Sequence, residues 1–144
     1  MPLVDEAAWR QTLHAVGNRL KLQPPADPGE IAAVERQLGI AFPAELRALY
    51  AATNGIYDRP GQWFVMWPLA DVANSNLAAW SGGAPEARQK LLGFGDDGTG
   101  APFCIAVDGE PIVLTWSPIA QEVRPLAATL HEFWLSWLSG DIRT

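Results

Sequence analysis

At 144 residues, with about half of them apolar and fewer than a fifth charged, the chain has the composition of one folded domain, not of a disordered or fibrous segment. A formal net charge of −6 argues against a nucleic-acid backbone as partner, since phosphate contacts need Lys and Arg, and favours basic partners. One cysteine excludes an internal disulfide, no apolar run approaches the ~20 residues of a membrane helix, and the first residues lack the basic and apolar parts of a secretory signal, so a cytoplasmic protein is expected.

Trp9, Leu13, Val16 and Leu20 recur on one helical face, which predicts a helix over Asp5 to Leu20. Lys21 to Pro25 reads as a linker, because consecutive prolines stop a helix. Asp27-Pro28-Gly29-Glu30 opens a second helix: Asp27 caps, Pro28 suits the first turn, and Glu30 reaches back as in a capping box. Ile31, Val34 and Leu38 form its apolar stripe and Gly39 closes it. Pro43 starts a third helix, with Leu46, Leu49 and Tyr50 facing inward and Asn54-Gly55 as its cap. The period then changes. Gln62 to Trp67 is aromatic and β-branched and reads as a strand ended by Pro68. Asp71 to Trp80 predicts a short helix, Ser81 to Pro85 a loop, and Leu91 to Phe94 a short strand.

Gly95 to Gly100 is a tight glycine-rich loop. Phe103, Ile105 and Val107 alternate with Cys104 and Ala106, which predicts a half-buried strand. Asp108-Gly109 turns the chain, Ile112 to Trp116 returns as the second arm of a hairpin, and Glu122 to Arg124 adds a short strand. Thr129-Leu130-His131-Glu132 repeats the capping pattern and opens a last helix carrying Leu130, Phe133, Trp134, Trp137 and Leu138. Helices, then strands, then a closing helix give an α+β fold: a single domain over 1–144, its mostly antiparallel sheet packed against N-terminal helices and a C-terminal helix.

The stretch Leu38-Gly39-Ile40-Ala41-Phe42-Pro43-Ala44-Glu45-Leu46-Arg47-Ala48-Leu49-Tyr50 followed by Asn54-Gly55 resembles the signature of the SUKH superfamily, the Smi/Knr-like domains. The resemblance continues through the tryptophan-bearing strand Trp63 to Trp67 with Pro68-Leu69 and the glycine-aspartate loop Phe94 to Gly100 before a strand ending at Val107-Asp108. It closes with a helix of the form Leu126 to Leu138. It implies an α+β fold and membership of a family rich in bacterial immunity proteins, which bind and neutralise toxins delivered between competing cells. Eukaryotic relatives are linked to cell-wall assembly.

Gly93-Phe94-Gly95-Asp96-Asp97-Gly98 satisfies G-x-G-x-x-G, yet a strand follows where a dinucleotide site needs a helix, and two carboxylates stand where phosphate would bind. Adjacent Asp96 and Asp97 also lack the alternate spacing of a calcium loop. They read as a solvated turn or as an acidic knob for Lys or Arg of a partner. His14 and His131 have no metal-ligand spacing, and Cys104 reads as a small buried residue. No catalytic residues, cofactor or metal are therefore expected.

Trp63 and Trp67 share one face of their strand while Phe64 and Met66 occupy the other, so either both faces are covered or one is a contact surface. Tyr57 and Trp63 are the aromatic anchor candidates, with Trp67 beside them. Asp58, Asp96, Asp97, Asp108 and Glu110 are the surrounding carboxylates. The expected function is a non-catalytic protein-binding domain of immunity type, its partner a toxin encoded nearby, with no nucleic acid and no membrane involved. Two alternatives stand: a small ligand or cell-wall glycan on the aromatic strand, and self-association through that strand. Monomer and homodimer are both open.

Overall fold

The computed structural model describes residues 6–14, 20–82, 86–107 and 112–139. Along them run α1 (Glu6–His14), β1 (Leu20–Leu22), α2 (Pro28–Leu38), α3 (Ala44–Ala52), β2 (Ile56–Asp58), β3 (Trp63–Met66), α4 (Leu69–Ser81), α5 (Glu86–Gln89), β4 (Leu91–Asp96), β5 (Pro102–Ala106), β6 (Val113–Ser117), β7 (Glu122–Ala127) and α6 (Leu130–Ser139). The seven strands form one antiparallel sheet in chain order, β1 to β7, and the expected α+β architecture holds. Among the described residues no helix is long and apolar enough to cross a membrane.

Several boundaries differ from the sequence expectation. Leu20 is not helical: it opens β1, so the expected linker from Lys21 begins as a strand, paired to β2 with Leu20 opposite Asp58 and Leu22 opposite Ile56. Three-residue strands carry too little sequence to show a period, and their backbone partners decide them. Strand β2 is such a case, and the single turn of α5 is likewise too short to show a period. β4 continues through Gly95 and Asp96, which shortens the expected glycine loop. β5 is buried on both sides: Phe103 and Ile105 enter the main core, while Cys104 packs with Leu91 and Trp116 in a smaller cluster. Val16, the Asp108-Gly109 turn and Pro85 lie outside the described residues.

The main core joins Trp9 and Leu13 of α1, Ile31, Val34 and Leu38 of α2, Leu46, Leu49 and Tyr50 of α3, and Phe133 and Trp134 of α6 to the inner side of the sheet. Phe103 and Phe133 meet edge to face at 4.8 Å, which docks α6 on β5.

Helix ends decide how these elements are held. Glu30 closes back on the Asp27 N–H (3.2 Å), and Gly39 takes φ 73° after α2, as expected. α3 ends at Ala52, before Asn54-Gly55, and Asn54 does something else. Its Oδ1 accepts the N–H of Leu69 (2.9 Å) at the start of α4, where Pro68 has no side-chain acceptor to offer. At α6, Thr129 Oγ1 accepts the Glu132 N–H (3.0 Å), the expected half of a capping box. The first N–H, of Leu130, goes to Glu45 Oε1 (2.9 Å), a buried carboxylate at the start of α3.

β3 and β4 touch over a short seam. Met66 opposes Gly95, and the Trp67 N–H donates to the Phe94 carbonyl (2.8 Å). A Cβ on Gly95 would collide with the carbonyl oxygen of Val65. Beyond the seam, buried Asn76 of α4 replaces a strand: its amide donates to Gly93 O (2.8 Å) and accepts Gly93 N–H (2.8 Å). One side-chain amide thus satisfies both backbone groups of a buried residue. Gly95→Ala is expected to destabilise the fold by about 1–3 kcal/mol, since backbone and not a movable side chain fills the space. Urea unfolding measures it, and an unchanged midpoint would contradict the seam.

Candidate protein-binding surface

The loop after β4 is held by two tryptophans. Trp63 Nε1–H donates to the backbone carbonyl of Asp96 (3.1 Å), and Trp67 Nε1–H donates to Asp96 Oδ2 (3.2 Å). The other carboxylate oxygen, Oδ1, accepts the Gly98 N–H (2.8 Å). Asp97 Oδ1 accepts the Thr99 N–H (2.8 Å) and hydroxyl (2.6 Å), so successive side-chain turns fix the loop from within. Tyr50 secures Trp67 from below by donating its hydroxyl to the Trp67 carbonyl (2.7 Å).

The three glycines of the G-x-G-x-x-G pattern make room for these contacts. A Cβ on Gly93 would stand 3.1 Å from the Trp67 ring and 3.2 Å from the Arg88 guanidinium. Gly95 admits Val65, and Gly98, at φ 90°, lies 3.3 Å under the Trp63 ring by the same measure. The pattern belongs to ring packing and a strand contact, and β5 follows it where a phosphate loop would need a helix.

The structure brings Trp63, Trp67, Asp96 and Asp97 together, each partly exposed. It separates Tyr57 from them. Tyr57 opposes Phe64 and meets it edge to face at 5.1 Å. Phe64 and Trp63 are neighbours in an extended strand and point to opposite faces. Tyr57 and Trp63 therefore do not form one patch.

Asp58 was expected as a rim carboxylate, but it is only 2% exposed. Its Oδ1 accepts the Gly61 N–H (3.0 Å) and its carbonyl accepts the Gln62 N–H (2.8 Å), closing the β2–β3 turn with Gln62 at φ 60°. The β6–β7 turn repeats this form. Ser117 Oγ accepts the Ala120 N–H (3.1 Å), its carbonyl accepts the Gln121 N–H (2.7 Å), and Gln121 sits at φ 57°. Asp58 thus holds a turn, as Ser117 does, and the turn residues Pro60-Gly61 just after it were the signal that could have shown it. Asp108 and Glu110 lie outside the described residues.

Two cavities are lined by neither Trp63 nor Trp67. One of about 520 Å³ lies between α2 and α3, lined by Ile31, Ala32, Ala44, Ala48 and the ion-paired Glu35 and Arg47 (2.7 Å). The other, about 280 Å³, runs from Asp97 and Thr99 to Trp116 and Ser117 of β6 and to Glu122 and Arg124 of β7. Among the described residues no three His, Cys, Asp or Glu side chains converge as a metal site would require. His131 sits edge-on to Trp9 at 5.5 Å, with Thr12 Oγ1 3.4 Å from its Nε2, and the His14 side chain lies outside the described residues.

The chain thus builds an antiparallel sheet backed by capped helices, with a loop anchored by two tryptophans at its middle. The SMI1 / KNR4 family (SUKH-1) matches residues 25–136, and the chain belongs to that family. No curated protein matches the chain.

Burial pushes the Cys104 thiol up to about 12, and the nearby Arg88 charge only partly opposes this. Burial, with Asp71 adding to it, also raises Tyr50 well above its ordinary value. The native thiol is therefore expected to resist a disulfide reagent at about pH 8 and to react once unfolded; a native rate within about tenfold of the unfolded rate would contradict its burial. Below about pH 8 both groups stay protonated folded or unfolded, so neither alters stability. Above it the unfolded chain ionises first, and stability is expected to fall as pH rises toward 12.

Proposed function

We propose that this SUKH-family domain is a non-catalytic binding protein of immunity type, acting in the cytoplasm by occupying a toxin encoded nearby. The observation that carries the reading is the double anchoring of Asp96. With both indole N–H groups committed to it, the loop is set in place before any partner arrives, and a preorganised surface loses little entropy on binding. Partly exposed Trp63 and Trp67 offer the aromatic area typical of binding hot spots. Asp97 beside them, and the net charge of −6, favour encounter with a basic face. A buried Cys104 with a raised pKa gives no support to thiol chemistry and so favours binding over catalysis. Asp58 and Tyr57 stand outside the proposed surface, for the geometric reasons above.

Co-expression with the product of the adjacent gene tests the proposal. A complex that protects cells is expected. Asp97→Lys should slow association about tenfold at low salt. Trp63→Ala, checked for folding by circular dichroism, should weaken binding by about tenfold or more. No complex with any neighbouring toxin and no protection would end the reading.

A further inference from the structure

β7 closes one end of the sheet: among the described residues it pairs with β6 alone, and Glu122, Val123, Arg124 and Pro125 are all exposed. Of three large apolar residues strongly exposed among the described residues, two belong to this hairpin, Ile119 at 98% and Val123 at 44%. An edge of this kind is a template for another strand unless something blunts it. The sequence here is selective. Pro125 has no N–H and is tolerated in an edge strand with its nitrogen turned away from the neighbouring strand. Val123, two residues earlier, turns its N–H and C=O the same way.

We propose that β7 pairs with β7 of a second copy of this chain, antiparallel and centred on Val123, to give a two-fold symmetric dimer. The charge order carries the proposal. About Val123, an antiparallel partner sets Glu122 opposite Arg124 and Arg124 opposite Glu122, so two opposite-charge pairs form by symmetry. A parallel partner would set like charges against each other. Arg124 also lines the cavity beside Asp97, and its five donors allow it to meet a second carboxylate there. The two Val123 residues exchange N–H···O bonds and stack side chain on side chain. The adjoining turn brings Ile119 towards the partner copy's end of β7 and covers it. Pro125 on one side and the left-handed Gln121 on the other stop the ladder from lengthening. Each copy consumes its own β7 edge, so the assembly closes at two.

This surface is separate from the tryptophan-aspartate loop, and the proposal does not rest on toxin binding. Sedimentation equilibrium of the full chain from about 10 to 500 µM tests it. A monomer–dimer equilibrium is expected. Glu122→Arg alone and Arg124→Glu alone should each weaken association about tenfold or more, and the double reversal should restore it, because the swapped charges are again complementary. Val123→Cys should give a disulfide-linked dimer on mild oxidation, since the residue meets itself and Cys104 is buried. Circular dichroism confirms that each variant folds. A wild-type monomer throughout the range, single reversals without effect, or a double reversal as weak as the singles would each overturn the pairing.

Discussion

The first N–H groups of a helix have no partner within it, and in a domain this small two later helices begin where their own sequences cannot fully supply one. α4 follows a proline, and α6 starts beneath the core. The short helix α3 meets both needs. Glu45 at its first turn takes the Leu130 N–H, and Asn54 just past its end takes the Leu69 N–H. A carboxylate at a helix start also faces the positive end of the helix dipole. From the same helix, Tyr50 holds the Trp67 carbonyl and accepts at its own carbonyl from Ala26 (3.0 Å), while Thr53 Oγ1, just past its end, accepts from Gln23 (2.9 Å). The Pro43-to-Gly55 stretch is thus a polar fixture as much as an apolar stripe. Its charged and amide residues set where the other elements begin.

What α3 fixes, the sheet uses. With α4 placed, Asn76 reaches Gly93 and takes the position a strand would hold. With Trp67 anchored, its ring comes to rest over Gly93 and its N–H finds Asp96. The glycines between are small because two tryptophans and a backbone carbonyl need the space. The exposed loop therefore inherits its geometry from the core, and substitutions well below the surface would be felt at Asp96.

The long periodic elements were legible from sequence: α2 with its Asp27 and Gly39 caps, the β5–β6 hairpin, and α6 with Phe133 and Trp134 inward. Trp63, Trp67, Asp96 and Asp97 were expected on one surface, but the indole contacts that join them to Asp96 were not legible. What failed was what tertiary contact decides. Leu20 continued a helical spacing but went into β1 because β2 offered its edge. Asp58 looked like a surface carboxylate because its charge was weighed ahead of the Pro60-Gly61 turn that folds back on it. Asn54 read correctly as a cap, but of the wrong helix, since the recipient lies fifteen residues on. Glu45 and Asn76 gave no local signal, because their partners are distant in sequence.

The strand order has a consequence for how the chain gets to this fold. Strands β4 to β7 are joined in sequence and paired in the same order, so each pairing closes a short loop and can form from nearby residues. The β3–β4 seam is different: α4 and α5 stand between its two strands, and it rests on few backbone contacts. A four-stranded meander forming early, with β1 to β3 and the helices docking onto it as Gly95 meets Val65, is the order that loop-closure entropy favours. On that path the β4–β5 loop closes early with its own strands, and the Trp63 and Trp67 contacts that anchor Asp96 form only when the seam docks, so in native-state hydrogen exchange the seam would open at a lower free energy than the meander.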